Sequence, residues 1–536
     1  VNYVIGSGPA GVAVTKALLA QGLAVTMLDA GLVLEAANAE LLGSVGDASP
    51  AEWVSAARAA WRGDLQAGGV PNKLCYGSDF AYRDAGQKTA VSQTGVRVHS
   101  SFALGGLSNV WGGAVLPYRE ADVAAWPAAA RDLAAHYRAV FGLMPLAAVA
   151  DELAGDLPLH GSPLSSLRPS RQAQALVEDL TRGRQALAAQ GVTFGWSRLA
   201  VHPSRPGAAG DPGGQGCAYC GLCLRGCPRR LIYNSAASVE QFQSHPKFRY
   251  VGNFVLDELC ERDTDVLLRG TRDGNSAELS AARVYLACGV LGSARVMLAS
   301  MNAFGRRLGV KDSQYFLVPL LHFTGVPDVE GEALHTMSQV FMEMDGRATG
   351  AMPAHLQFYG YNDMYLEMLQ HRLGPLFRLG RALIDGFVDR LLMIQGYLHS
   401  DDSSEISVAL HRGASGNELR LDAAVNPKAR AVVSRILGTL SANRKQLGGQ
   451  VLSPLLQFGA PGEGSHIGGL FPMRDCPGEF EADKLGRVRG FSRVHVVDAS
   501  VLPSIPATTI TLPVMANAHR IGSLHRETAD VLPQTT

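Results

Sequence analysis

At 536 residues the chain is too long for one simple core, so two or more structural domains are expected. Its formal net charge is zero, with 47% hydrophobic and 18% charged residues, which argues against a general nucleic-acid footprint or a polybasic membrane anchor and fits a globular enzyme. No apolar run approaches the roughly 18 residues of a membrane-spanning helix, so no transmembrane segment is expected.

The chain opens on a buried strand at 2–6, a helix at 10–22 and a second strand at 23–29, the βαβ start of a doubly wound sheet. Between the first strand and the helix, Gly6, Gly8 and Gly11 form G-x-G-x-x-G. Gly6 permits the tight turn, Gly8 lets the backbone approach a pyrophosphate, and Gly11 lets helix and strand pack closely. The helix start at Pro9 and Ala10 then offers free N–H groups and a positive dipole end to phosphates. Asp29, followed by Ala30, closes the second strand and is the acid expected to bind a ribose hydroxyl. Strand, helix and acid together indicate a dinucleotide site, without separating NAD from FAD. Val1 already lies in the first strand and no initiator Met precedes it, so a trimmed start is expected, with a targeting segment on the true N-terminus left open.

Residues 40–100 mix helices and loops, and SSFALGGLSNVWGGAV at 100–115 is a patterned glycine-rich loop. Ala/Leu-rich helices are expected over 119–200, and a turn-rich stretch at 203–216 leads into the cysteines. Cys217, Cys220, Cys223 and Cys227, followed by Pro228, give C-x2-C-x2-C-x3-C-P, the bacterial ferredoxin spacing. They could hold a four-iron or three-iron cluster, with Cys476 as a possible remote ligand. Tetrahedral zinc, local disulfides and reduced structural thiols are the competing readings. The other cysteines are scattered, which indicates a reducing, cytoplasmic compartment rather than a disulfide scaffold.

Short strands return over 248–288, followed by a helix at 291–300. From 313 to 411 alternating strands are interrupted by an amphipathic helical region at 364–395, where Arg372, Arg378, Arg381 and Arg390 balance Asp385 and Asp389. A solvated helical pair packed on a substrate domain is the default there; lining the substrate entrance or touching a membrane are the alternatives. A helix at 427–446 leads to a C-terminal block that holds His466 in a glycine-rich turn and Asp498 at a strand end.

GSGPAG with DAG, ALGGLSNVWGG at 103–113, ACGVLGSARVMLAS at 287–300 and the C-terminal block together resemble the glucose–methanol–choline (GMC) oxidoreductases, with the pyranose oxidase branch nearest. The resemblance implies an α/β fold: a Rossmann-like FAD-binding domain with a discontinuous α+β substrate-binding domain on a mostly antiparallel sheet. The flavin domain would comprise 1–120, 216–310 with the cysteine loop, and 461–536. A helical insertion and linker at 121–215 and a substrate domain at 311–460 would complete the chain.

The resemblance further implies that Gly105, Ser108, Asn109, Trp111 and Gly112 lie over the flavin. Val110 stands where pyranose oxidases carry a flavin-linked histidine, so FAD would be non-covalent. Val255 matches an adenine contact, Cys288 falls in a flavin segment, and Asp498 with Ala499 matches the acid near the ribityl–pyrophosphate. Backbone N–H groups at Thr509 and Ile510 would face the pyrimidine end of the ring.

His466 matches the family's catalytic base; imidazole can take the hydroxyl proton while hydride leaves carbon. Its bland alternative is a hydrogen-bonded core histidine, one of fifteen in the chain. Thr509 stands where the family has Asn or His, and would either position the substrate hydroxyl or cap the following helix. Some sugar dehydrogenases of this family carry an iron–sulfur cluster in a comparable insertion. The activity implied is oxidation of a sugar, glycoside or polyol hydroxyl, with electrons leaving through the cluster to an acceptor protein or quinone. An oxidase that makes hydrogen peroxide is the first alternative, and a lyase or photoenzyme on the same fold the second.

Overall fold

The computed structural model describes residues 1–47, 55, 57–61, 73–85, 90–203, 216–413 and 416–525. The turn-rich stretch expected at 203–216 lies almost wholly outside them.

The nucleotide-type layer is a five-stranded parallel sheet. Asn2–Ile5 is central, flanked on one side by Val25–Leu28 and Phe248–Val251 and on the other by Arg283–Leu286 and Val494–Val496. The last strand lies almost five hundred residues after the first, yet only one strand separates them in the sheet. The terminal helix Thr511–Ser523 docks on Pro9–Ala20 through small residues: a Cβ at Gly522 would sit 2.9 Å from that of Ala17. Gln21 Nε2 also donates to the Gly522 carbonyl at 2.7 Å. An antiparallel meander, Phe254–Glu261, Val266–Arg272 and Asn275–Ala281, extends this part.

The second part rests on an antiparallel sheet ordered Gly449–Val451, Tyr315–His322, Leu391–Tyr397, Ala354–Tyr359, Val340–Met344 and Val192–Trp196. One face is apolar: Phe316, Val318, Leu356, Phe358, Leu392 and Ile394 pack with Leu176 and Ile436 of two covering helices. The opposite face is polar and aromatic, as the two-residue period of a strand allows. The strand at 192–196 falls within the stretch expected to be helical insertion and linker; its Val192 and Phe194 belong to this sheet's core. A further five-stranded sheet pairs Leu308–Asp312 with the histidine segment Ile467–Gly468 and so joins the two parts. The helical interruption is real, as Asp363–Leu373, Leu376–Leu379 and Arg381–Val388. Among the described residues no helix is long and apolar enough to cross a membrane.

Candidate active site

The glycine turn ends the first strand. Gly6 has φ +102°, and a Cβ there would lie 2.4 Å from the Ala287 carbonyl oxygen. A Cβ on Gly11 would meet the Gly6 carbonyl oxygen at 2.0 Å, so these two glycines are required by the protein's own packing. Gly8 is different. Its φ of −64° suits any residue, and a Cβ there would meet nothing within 4 Å. Gly8 is the N-cap of its helix with no side-chain cap, so the chain forgoes a stabilising serine or aspartate there. The space kept clear is part of a cavity of about 260 Å³, lined by Gly6, Gly8, Pro9 and Ala10 among others.

Three helix starts converge on this cavity: Gly8–Pro9, Cys288–Gly289 and Ile510–Thr511. None is capped by its own N-cap side chain, so all three direct positive dipole ends to one place, although the Gly289 amide is already met by the Asp498 carboxylate. That is an arrangement for anionic groups at separate points along one extended ligand.

Asp29, Ala30 and Val255 line the same cavity, as do Asp498 and Ala499. Asp29 Oδ2 accepts from Ser7 Oγ at 2.6 Å and from Tyr250 OH at 3.1 Å. Burial pushes its pKa up to about 6 despite both bonds. Asp498 is also raised by burial, while accepting from Ser293 Oγ at 2.5 Å and from the Ser500 amide. Ser7 and Tyr250 are additions to the expected site. Ser7 shows in the motif as the residue between two glycines. Tyr250 arrives only through the parallel register that sets it beside Met27.

The loop at 105–113 meets the cavity through Gly106 and Leu107; Gly105, Ser108, Asn109, Trp111 and Gly112 are not among its lining residues. Their polar groups tie the loop down instead. Gly105 N donates to Ser7 Oγ, Asn109 Nδ2 to the Leu104 and Gly106 carbonyls, and Trp111 Nε1 to the Tyr233 carbonyl at 2.7 Å. Ser108 Oγ accepts from the Ser235 amide. His99, Ser100 and Ser101 also line the cavity, and no motif marked them.

His466 lies between two cavity-lining residues, Ser465 and Ile467. The Ser313 amide donates to its carbonyl at 2.9 Å, and its ring stacks on Tyr397 with centroids 4.6 Å apart. The ring is half-buried, and its Nδ1 is buried without a partner among the described residues. A satisfied core histidine would not leave that nitrogen free. Burial, reinforced by His355, lowers its pKa to about 4, so it stands as a neutral imidazole.

Thr509 is buried, and its Oγ1 accepts from the Leu116 amide at 2.8 Å. The following helix has Ile510 as N-cap with no side-chain cap, so Thr509 does not cap it.

The four loop cysteines are free thiols, which removes the local disulfides. Cys217, Cys223 and Cys227 pack on one apolar cluster with Leu199, Val201, Leu231 and Met337. Burial, then the neighbouring Cys223, pushes Cys217 and Cys220 up to about 12 and Cys227 up to about 11. Among the described residues no three His, Cys, Asp or Glu side chains stand at metal-holding spacing. Cys476 is exposed.

Residues 462–518, which carry His466, Asp498 and the third helix start, match the family model for GMC oxidoreductase. This segment is a GMC oxidoreductase C-terminal region. No curated protein sequence matches it significantly. Among solved structures the chain is similar to pyridoxine 4-oxidase from Mesorbium loti, with TM-score 0.61, 15% identity, 98% of this chain and 99% of that one covered. It is also similar to formate oxidase at TM-score 0.55 and 14% identity, and to an R554A variant of the Aspergillus oryzae RIB40 enzyme at 0.56 and 13%. Each of these two comparisons covers 98% of both chains. At such identities the likeness is one of fold, and it spans the whole chain.

Proposed function

We propose that this GMC oxidoreductase binds FAD non-covalently and oxidises a hydroxyl group of a sugar, glycoside or polyol to the carbonyl. The observation that carries the cofactor assignment is the unobstructed Gly8 at an uncapped helix start, on a cavity that a second uncapped start at Ile510–Thr511 also faces. Gly6, Gly8 and Pro9 would hold the pyrophosphate, Asp29 a ribose hydroxyl, Val255 the adenine edge, and the N–H groups at Ile510 and Thr511 the far end of the ring. Val110 has no group to bond covalently to a flavin.

FAD, when bound, supplies the two-electron acceptor for the hydride that leaves the alcohol carbon. His466 takes the hydroxyl proton, which its neutral, unpartnered imidazole is suited to do. Tyr397 holds the ring of that imidazole by stacking. Thr509 Oγ1, fixed by the Leu116 amide, would retain one O–H to direct at the substrate oxygen. Anaerobic mixing with a panel of sugars and polyols tests the reading: the flavin absorbance should bleach, and a flavin that no alcohol reduces would overturn it.

The pH dependence of that reduction is a sharper check. A base with a folded pKa near 4 is unprotonated at every higher pH, so the rate should hold constant as pH falls from 7 and drop only near 4. An unperturbed histidine would lose the rate near about 6.5.

For the cysteine loop we propose that Cys217, Cys220, Cys223 and Cys227 would hold an iron–sulfur centre. Four free thiols at ferredoxin spacing support it. Their arrangement here falls short of ligation, so no electron step is derived through it. Iron and acid-labile sulfide in the purified protein, both lost in Cys223→Ser, are the expected result. Their absence, with stoichiometric peroxide formed from dioxygen, selects the oxidase reading.

A further inference from the structure

The polar face of the substrate sheet runs past His466 as two parallel ladders. Ala354–Tyr359 presents His355, Gln357 and Tyr359, and Leu391–Tyr397 presents Tyr397, Gln395 and Met393, paired across as His355↔Tyr397, Gln357↔Gln395 and Tyr359↔Met393. Their neighbours in sequence, Leu356, Phe358, Leu392 and Ile394, are in the core on the other side. Gln395, Tyr359 and Met393 are only half-buried although they sit mid-sheet, so this face fronts open space.

The two ladders differ in what they leave unsatisfied. The first is internally closed. His355 Nδ1 lies 2.6 Å from Glu343 Oε1, and Arg119 donates to the same carboxylate. Gln357 Nε2 meets His355 Nε2 at 3.1 Å, and Tyr359 OH donates to Gln357 Oε1 at 2.8 Å. Burial drives Glu343 up, but His355 and Arg119 outweigh it and hold the carboxylate below its ordinary range. The charged groups of this wall are thus engaged with one another, Glu343 being met by both His355 and Arg119.

The second ladder is open. Gln395 Nε2 donates to Tyr397 OH at 2.8 Å, but among the described residues nothing donates to Gln395 Oε1 and nothing accepts the Tyr397 proton. One acceptor and one donor thus stand side by side, on the residue stacked against His466 and the residue next to it on the same face. A single hydroxyl group satisfies both at once, because a hydroxyl both donates and accepts.

We propose that Gln395 and Tyr397 form a hydroxyl-reading subsite, so that the substrate is a neutral polyol with a second hydroxyl near the carbon that His466 serves. The proposal rests on the assignment of His466 as base. Specificity follows from the cost of leaving buried polar groups unpaired, which makes a site built for a hydroxyl reject the analogue that lacks it.

The experiment compares kcat/KM by flavin reduction for glycerol against n-propanol, and for glucose against its monodeoxy analogues, in the full-length holoenzyme. The wild type should favour at least one polyol over its hydroxyl-deficient partner by about 100-fold or more. Gln395→Leu, and independently Tyr397→Phe, which keeps the stacked ring, should each cut that ratio about tenfold or more with flavin content retained. An undiminished ratio in both variants, or a wild-type ratio near one with n-propanol readily oxidised, overturns the subsite while leaving His466 as base. Reduction by none of these alcohols overturns both.

Discussion

Replacing His466 with asparagine lowers the rate of flavin reduction by alcohol on the order of 10²–10⁴-fold, the usual contribution of a positioned general base. Asparagine keeps the size and polarity of the side chain but cannot take a proton. Flavin content should change little, because the substitution leaves the proposed nucleotide contacts at Gly6, Gly8 and Asp29, and the cavity-lining Ser465 and Ile467, in place. The stacked contact with Tyr397 is lost, but the Ser313–His466 backbone bond that places the segment is not. Anaerobic stopped-flow reduction of wild type and variant across pH measures the effect. The variant should also lose the acid limb near pH 4 that the lowered histidine pKa sets. A rate within about threefold of wild type would remove His466 from the chemistry and leave the cofactor assignment standing.

Gly8→Ser should move cofactor affinity and apoprotein stability in opposite directions. Serine is a favoured N-cap, Gly8 already has extended backbone angles, and nothing lies within 4 Å of its Cβ position. The apoprotein should therefore be as stable as wild type or more so, by a few tenths of a kcal/mol. The same hydroxymethyl group would occupy the space in which a pyrophosphate meets the backbone and would claim a helix N–H that the phosphate uses. Overpacking of this kind costs about 1–3 kcal/mol, so flavin affinity should fall about 10–100-fold. Thermal unfolding of the apoprotein and titration with FAD give the two signs separately. Unaltered affinity would mean that no ligand approaches Gly8. By contrast, substitutions at Gly6 or Gly11 would disturb the fold itself, since their added carbons strike backbone atoms.

Much of the nucleotide half was legible in the chain because its signals are local. A strand, three glycines at fixed spacing, a helix and an acid are all contained in residues 2–29, and Asp29 and Gly8 line the cavity as that spacing implies. Ser7 was visible within the motif, but its bond to Asp29 and the amide of Gly105 depends on chain brought in a hundred residues later. Tyr250 was not legible, because only the parallel register beside Met27 makes it a partner of Asp29.

The 105–113 loop shows the limit from the other side. Its glycines and aromatics mark a functional loop, yet Trp111 and Asn109 spend their polar groups on Tyr233, Leu104 and Gly106. The substrate wall was hardest to read. Strand alternation separates Gln395 and Tyr397 from Leu392 and Ile394, but which face meets His466 is decided by the antiparallel pairing of Asp312 with Ile467 and by the stacking on Tyr397. Val192–Trp196 was likewise hidden among helical sequence, since its partner strand lies about 150 residues away.

The central claim is that a non-covalent flavin occupies the cavity behind Gly8 and that an alcohol reduces it. An anaerobic absorbance spectrum of the purified protein, recorded before and after addition of glucose or glycerol and again after denaturation, addresses it in one sample. Flavin bands that bleach on adding a polyol, with all the flavin free in the supernatant after denaturation, are the expected result. A protein that holds nicotinamide in place of flavin, or whose flavin stays oxidised with every alcohol offered, would contradict it.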